Sequence, residues 1–193
     1  MKKMTIALAV LFCTSFAAHA ESTRRSTHIQ NPNTQDQKFI VGVDGDFGIP
    51  LGNYSDVNGV GGGLMLTGEY PVMPELGLTA RVGFQYHSDK DLGAGVSGHV
   101  HSIPFLFGAK YYFMPQHQGL FGAAELGLFD LMAGASSGGV SATDSEVKFG
   151  MGVGVGYQMK QWNARINLHS QSVGSFGDSM MVTAGVGYQF AGF

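Results

Sequence analysis

Eight separate segments between Lys38 and Phe190 alternate between two kinds of side chain, with Ile40 an exception in the first and Phe121 and Phe129 on the polar side of the fifth, and nothing else in this chain constrains its fold as tightly. Only extended backbone sends successive side chains to opposite sides, so each segment reads as a strand with two chemically different faces. The clearest sets Leu76, Leu78, Ala80, Val82, Phe84 and Tyr86 against Gly77, Thr79, Arg81, Gly83, Gln85 and His87. Near the C-terminus, Met180, Val182, Ala184, Val186, Tyr188 and Phe190 oppose Thr183, Gly185, Gly187 and Gln189. Another segment opposes Val147, Phe149, Met151, Val153, Val155 and Tyr157 to Lys148 and a row of glycines at 150, 152, 154 and 156. Most segments are about ten residues long or more, enough to cross a bilayer at the usual strand tilt.

The connections carry a second pattern. Residues 49–58, 88–98, 133–145 and 172–179 read as long loops, and 71–75, 114–119 and 160–161 as short turns, in strict alternation. An up-and-down transmembrane barrel has tight periplasmic turns and longer extracellular loops. The expected fold is therefore all-β, an eight-stranded antiparallel up-and-down transmembrane β-barrel over residues 38–193, with both termini in the periplasm. Tyr70, Tyr111, Phe113, Tyr157, Trp162, Tyr188 and Phe190 gather near the periplasmic strand ends, and Phe47, Phe84 and Tyr86 near the outer ones, as aromatic girdles. A soluble barrel with its apolar face inward fits worse. It would crowd Phe84, Phe105, Phe107 and Phe149 into a narrow interior and expose the glycine row.

With the apolar face outward, Asp44, Glu69 and Glu125 share the interior with Arg81, Lys110 and Arg165. Buried charge persists only when paired and hydrogen-bonded, so these six residues are expected to form an ion-pair network that plugs the lumen.

Ahead of the strands, Met1-Lys2-Lys3, an apolar stretch to about Ala18 and the triplet Ala18-His19-Ala20 have the anatomy of a cleavable secretory signal over residues 1–20. The only cysteine, Cys13, lies inside it, so the mature chain is expected to carry no disulfide. Residues 21–37 are almost wholly polar and read as a flexible periplasmic tail. Charged residues are 13% of the chain, against roughly 25% in soluble domains. Loss of Lys2 and Lys3 deepens the formal charge from −3, with eleven basic and fourteen acidic residues, to −5, which argues against nucleic acid as a partner.

The segment His101-Ser102-Ile103-Pro104-Phe105-Leu106-Phe107-Gly108-Ala109-Lys110-Tyr111-Tyr112-Phe113 resembles a strand common in the outer-membrane β-barrel superfamily of small opacity-like, adhesin-like proteins, and Ala184-Gly185-Val186-Gly187-Tyr188-Gln189-Phe190 is similar to the terminal strand of that group. The resemblance implies a bacterial outer-membrane location, contact with lipopolysaccharide, and insertion by the barrel-assembly machinery. That machinery would read Val186, Tyr188, Phe190 and Phe193 in the last strand. Counting back by twos from Phe193 meets Gln189, Gly187 and Gly185, so Phe190 is the better anchor.

Other chemistry has little support. His169-Ser170-Gln171 lacks the spacing of a lipid-deacylating His-x-Ser motif, and Ser170 has lipid-facing parity while His169 has lumen parity, so no catalytic residue is expected. His87, Asp89, Asp91, His99 and His101 sit around one loop, but their mixed parity reads as rim histidines with no metal site. No cofactor motif is present, since the run 150–156 lacks any phosphate-cradling arrangement. The expected function is a monomeric structural or surface-interaction protein acting on envelope or host ligands through its extracellular loops. A lipid-A-modifying enzyme and a narrow pore are the alternatives.

Overall fold

The computed structural model describes residues 39–93, 95–137 and 140–192. The expected signal, the expected tail and Phe193 lie outside them. The strands are β1 (Ile40–Pro50), β2 (Gly61–Met73), β3 (Leu76–His87), β4 (Lys90–Gly93), β5 (Val96–Met114), β6 (Gln118–Ser137), β7 (Val140–Met159), β8 (Trp162–Ser170) and β9 (Met180–Gly192). A single-turn helix, α1 (Tyr54–Val57), follows β1, and a 3-10 turn (Val173–Asp178) precedes β9.

Every pairing is antiparallel. β9 returns to β1, and β3 pairs with β5 past the short β4, so eight strands close into a barrel and β4 stands outside the ring as a ninth. Closure pairs the barrel strands on both sides through most of the apolar belt, as an apolar solvent would require. Ile40 pairs with Gly192, placing both described ends of the barrel with the tight turns after β2, β5 and β7. The turn after β7 has Lys160 at φ 54°, and the turn after β5 has Gln116 at φ 71° and His117 at φ 55°.

The two faces separate as alternation dictates. Leu64 is 67% exposed and Phe107 61%, amid a continuous outer belt of Leu, Val, Ile, Phe and Met. Asp44, Glu69, Arg81, Lys110, Glu125 and Arg165 are buried inside with Gln158, Asn163, Asn167 and Thr183. Such an outer surface is far larger than water tolerates and matches hydrocarbon. At one end of the belt Trp162 stacks edge-on against Tyr188 at 4.9 Å, and Tyr111 against Phe113 at 5.6 Å.

Two connections differ from the sequence reading. Of residues 133–145, expected as a loop, 133–137 and 140–145 are the ends of β6 and β7, paired without a break to Ser137 and Val140. Likewise β4 and the start of β5 form a hairpin within 88–98. Beyond the apolar belt a strand can meet water on both faces, so its side chains need not alternate in polarity. The hydrophobic period stops while the hydrogen-bonded ladder continues.

The glycine row of β7 has a packing reason. A Cβ on Gly150 would strike the Phe129 ring, on Gly152 the His169 ring, on Gly154 the Asn167 side chain, and on Gly156 the Phe121 ring. Large inward side chains of β6 and β8 therefore occupy the space these residues leave. At Gly156 the backbone oxygen of Ala164 would also lie 2.5 Å from an added Cβ, and backbone cannot step aside. Gly156→Val is expected to destabilise the barrel by about 1–3 kcal/mol through overpacking. The temperature at which the folded band converts to the unfolded one on a gel measures this, and an unchanged conversion temperature would refute it.

Candidate functional site

Inward side chains on alternate strands of a small barrel share a level, as side chains do in other eight-stranded barrels. β1, β3, β6 and β8 alternate around this ring, and they supply the central charge cluster. Arg81 Nη2 lies 3.3 Å from Asp44 Oδ2 and 3.0 Å from Asp46 Oδ2, and its Nη1 lies 3.0 Å from Glu125 Oε2. Arg165 Nη1 reaches Glu125 Oε1 at 3.2 Å, and its Nη2 is bonded to Asp44 Oδ2. Two planar guanidinium forks thus hold three carboxylates, a geometry that lysine could not reproduce.

The strands between supply a second cluster. Lys110 Nζ is 3.0 Å from Glu69 Oε2, and Tyr112 donates its hydroxyl to Glu69 Oε1 at 2.9 Å. His117, from the turn after β5, places Nδ1 2.8 Å from Glu69 Oε1 and Nε2 2.9 Å from the Met73 carbonyl. The structure therefore brings the six charged residues of the sequence reading into two groups: Asp44, Arg81, Glu125 and Arg165 in one, Glu69 and Lys110 in the other. Between them a void leaves about 10 Å³ for the centre of a water-sized sphere, lined by Ile40, Thr67, Glu69, Arg81, Lys110 and Arg165 among others. That is room for about one water molecule.

Three further participants lie outside the six-residue network expected from the sequence. Asp46 and Tyr112 have lumen parity and were legible by that signal. His117 sits in a turn, where parity says nothing, and only the folded chain carries it to Glu69.

Both ring nitrogens of His117 face acceptors, so the arrangement calls for the doubly protonated imidazolium. Burial of the ring opposes that charge, but the hydrogen bonds to Glu69 and to the Met73 carbonyl, with the Glu69 charge, outweigh both burial and the repulsion of Lys110. The pKa of His117 is raised above the ordinary 6.5. A raised folded-state value means the stabilisation is complete below about pH 6.5, the unfolded value, and is lost as pH climbs through the folded one. Amide exchange in the 116–118 turn is accordingly expected to be slowest at acid pH and to accelerate on alkalinisation beyond the intrinsic chemical trend. His117→Gln should abolish the excess, and an identical excess in that variant would sink the assignment.

The mouth opposite the tight turns is roofed by loops. Tyr54 of α1 donates to Gln171 Oε1 at 2.9 Å, Asn53 Nδ2 to Asp178 Oδ1 at 2.6 Å, and Asn58 Oδ1 accepts from the Val100 amide at 2.6 Å. Ser170, expected to face lipid, is buried because residues 172–179 fold back over the end of β8. Its hydroxyl contacts the Ser172 carbonyl at 3.1 Å and Ser179 Oγ at 3.3 Å. On the rim at that end Tyr86, His101 and His99 form a stack with centroid spacings of 4.5 and 4.2 Å, and His99 Nδ1 meets Asp89 Oδ1 at 2.7 Å. Among the described residues, no group of three or more His, Cys, Asp or Glu is placed to hold a metal ion.

No protein-family model and no curated protein matches the sequence. Solved structures do match in shape. Ail, the attachment invasion locus protein of Yersinia pestis, determined in complex with the heparin analogue sucrose octasulfate, aligns over 81% of this chain and 100% of its own, with a TM-score of 0.55 and 14% identity. The N-terminal β-barrel domain of Pseudomonas aeruginosa OprF aligns over 81% and 100%, with a TM-score of 0.53 and 17% identity. Neisserial surface protein A aligns over 79% and 97%, with a TM-score of 0.51 and 14% identity. The fold is that of the small eight-stranded outer-membrane β-barrels. In this outer-membrane barrel fold, the last strand carries Val186, Tyr188 and Phe190 on its outward face, with Val186 and Phe190 more than half exposed.

Proposed function

We propose that this chain is a bacterial outer-membrane protein that uses its closed barrel as a rigid pedestal and works through protein contacts at its extracellular face. The observation that carries this reading is the β6–β7 hairpin. β8 begins to pair with β7 only at Met151, so among the described residues β7 from Val140 to Gly150 has a strand on one side alone, and its part from Val140 to Glu146 lies beyond the apolar belt that Val147 and Phe149 begin. An open edge of that length is a template for an extended segment of another chain.

The charge of the same face speaks to the partner. The loops and upper arms carry Asp56, Asp89, Asp91, Asp144, Glu146 and Asp178 against Lys90 and Lys148. A sulfated glycan such as the heparin analogue bound to Ail would meet repulsion here, whereas an extended, basic protein segment would be attracted. The plugged lumen opposes a pore, and the hydroxyl of Ser170, held by the Ser172 carbonyl and Ser179, opposes its use as a nucleophile.

Shortening the hairpin by joining residues 134 and 143 through a two-residue turn tests the proposal. Cells displaying the shortened protein are expected to lose binding to immobilised matrix proteins while the barrel keeps its heat-dependent mobility shift. Binding that survives the deletion, or that heparin competes away, would overturn the reading. Discrete conductance steps in planar bilayers would favour the pore, and a changed lipid A mass on expression would favour an enzyme.

A further inference from the structure

We propose that His101 and His99 form an acid-released clasp at the rim opposite the tight turns, holding the arm that carries β4 against β5 while His101 is neutral and releasing it when that imidazole takes a second proton. The clasp sits at a break in the backbone ladder. β3 and β5 are paired as far as Gln85 and Ser102, and β4 resumes the pairing with β5 at Lys90 and Gly98. Residues 86–89 and 99–101 lie between, with one residue more on the first arm, so the ladder cannot run through in register. Backbone groups left over at such a break need other partners. The Val100 amide donates to the Asn58 side chain at 2.6 Å. Ser88 turns to the chain just before β2, its amide donating to the Val60 carbonyl at 3.0 Å and its carbonyl accepting from the Gly59 amide at 3.1 Å. The His87 amide has an imidazole instead, donating to Nδ1 of His101 at 3.2 Å.

Only the neutral ring can serve. A nitrogen that accepts carries no proton, so the single proton of His101 is on Nε2, and a second proton would set a donor against the His87 donor. The neighbours of the ring oppose that charge as well. Tyr86 of β3 stacks on one side, and on the other His99 lies nearly parallel at 15° with centroids 4.2 Å apart. The His99 ring is seated over Gly134 of β6, where a Cβ would stand 2.5 Å from its Nε2. Asp89 meets Nδ1 of His99 at 2.7 Å. The other charged groups on this arm are engaged elsewhere, Lys90 donating to the Ser55 carbonyl and Asp91 accepting from the Gly93 amide at 2.8 Å. The β6 residues opposite the two histidines, Gly134 and Met132, carry no charge, and the buried His87 ring offers none that is negative. A charge on His99 is therefore met by Asp89, whereas a charge on His101 would lie against that of His99 with no carboxylate of its own.

The sign of the effect follows from proton binding. The closed clasp excludes a proton that the open one accepts at the ordinary imidazole value, so closure is complete above about pH 6.5 and is lost as pH falls below it. Opening leaves the His87 amide and Asp89 to water and unties residues 88–93 from β5 everywhere but at the short β4 ladder. This trend runs opposite to that of the His117 turn at the other end of the barrel, which gives the two ends an internal comparison.

The test is amide exchange of the chain refolded in detergent micelles, followed residue by residue by NMR at about pH 7.5 and about pH 5.5, either side of the ordinary imidazole value, and corrected for the intrinsic rate. Protection of the His87 amide is expected to fall about tenfold on acidification, the size of one hydrogen bond left unmade, while that of Val82 and Phe105 is kept. His101→Asn sets a carbonyl oxygen near the place of Nδ1 and cannot titrate, so it should hold the protection at both pH values. His101→Leu should lack it at both. No acid loss in the wild type, or a loss of the same size in His101→Asn, would overturn the proposal. Should the variants fail to refold, the wild-type chain decides alone: the His87 protection must fall with the midpoint at which the nitrogen shift of His101 Nδ1 reports protonation, and separate midpoints would overturn the clasp.

Discussion

Arg81→Met is expected to lower the stability of the barrel by about 3–5 kcal/mol, read as a fall in the urea midpoint for unfolding from lipid vesicles. Methionine preserves most of the apolar stem of arginine, so the loss isolates the guanidinium. That group touches Asp44, Asp46 and Glu125, and without it Arg165 alone would face three carboxylates in a lumen closed to bulk water. Removing one partner of a buried pair costs more than removing both, because the survivor keeps its desolvation penalty. Arg81→Met combined with Asp46→Asn should therefore recover part of the loss. Arg81→Lys should recover little, since one ammonium cannot span carboxylates on β1 and β6. A midpoint unchanged in Arg81→Met would mean the cluster carries no structural weight.

Phe121→Ala is expected to cost a similar amount, about 3–5 kcal/mol, by opening a cavity in the packed lumen. Phe121 is fully buried. It lies 5.5 Å from the Tyr112 ring, beneath the Lys110 ammonium at 5.1 Å, and against Gly156. Its removal unseats the aromatic floor of the Glu69 cluster as well as leaving space that the rigid ladder cannot close. Phe107→Ala is the matched control. Its ring points out of the same barrel, and lipid chains refill the position with contacts nearly as apolar. Equal destabilisation of the two variants in vesicles would show that the inward and outward faces are energetically alike, contrary to this structure.

How much was legible in the chain differs from element to element. Leu76 to His87 alternate so cleanly that the face of Arg81 follows from parity, and the same holds for Asp44, Glu69, Lys110, Glu125 and Arg165. Asp46 and Tyr112 carry the same signal, but parity alone does not tell which inward residues join the charge clusters. By contrast, residues 133–145 have no apolar face, so nothing in their pattern marks them as strand, yet 133–137 and 140–145 extend the β6–β7 pairing. Ser170 has outward parity and is nonetheless buried, because parity describes a strand and not the loop that folds over its end. His117 offers no local cue, since its position depends on where the β5–β6 turn falls relative to Glu69 on β2.

The sequence by itself determined the alternating stretches of the eight ring strands and which of their side chains enter the lumen, because a period of two is a local property of extended backbone. Tertiary structure decided who meets whom. Ring closure sets the stagger between neighbouring strands, and the stagger decides which inward residues share a level. That is why Arg81 finds Asp46 and Glu125 while Lys110 finds Glu69.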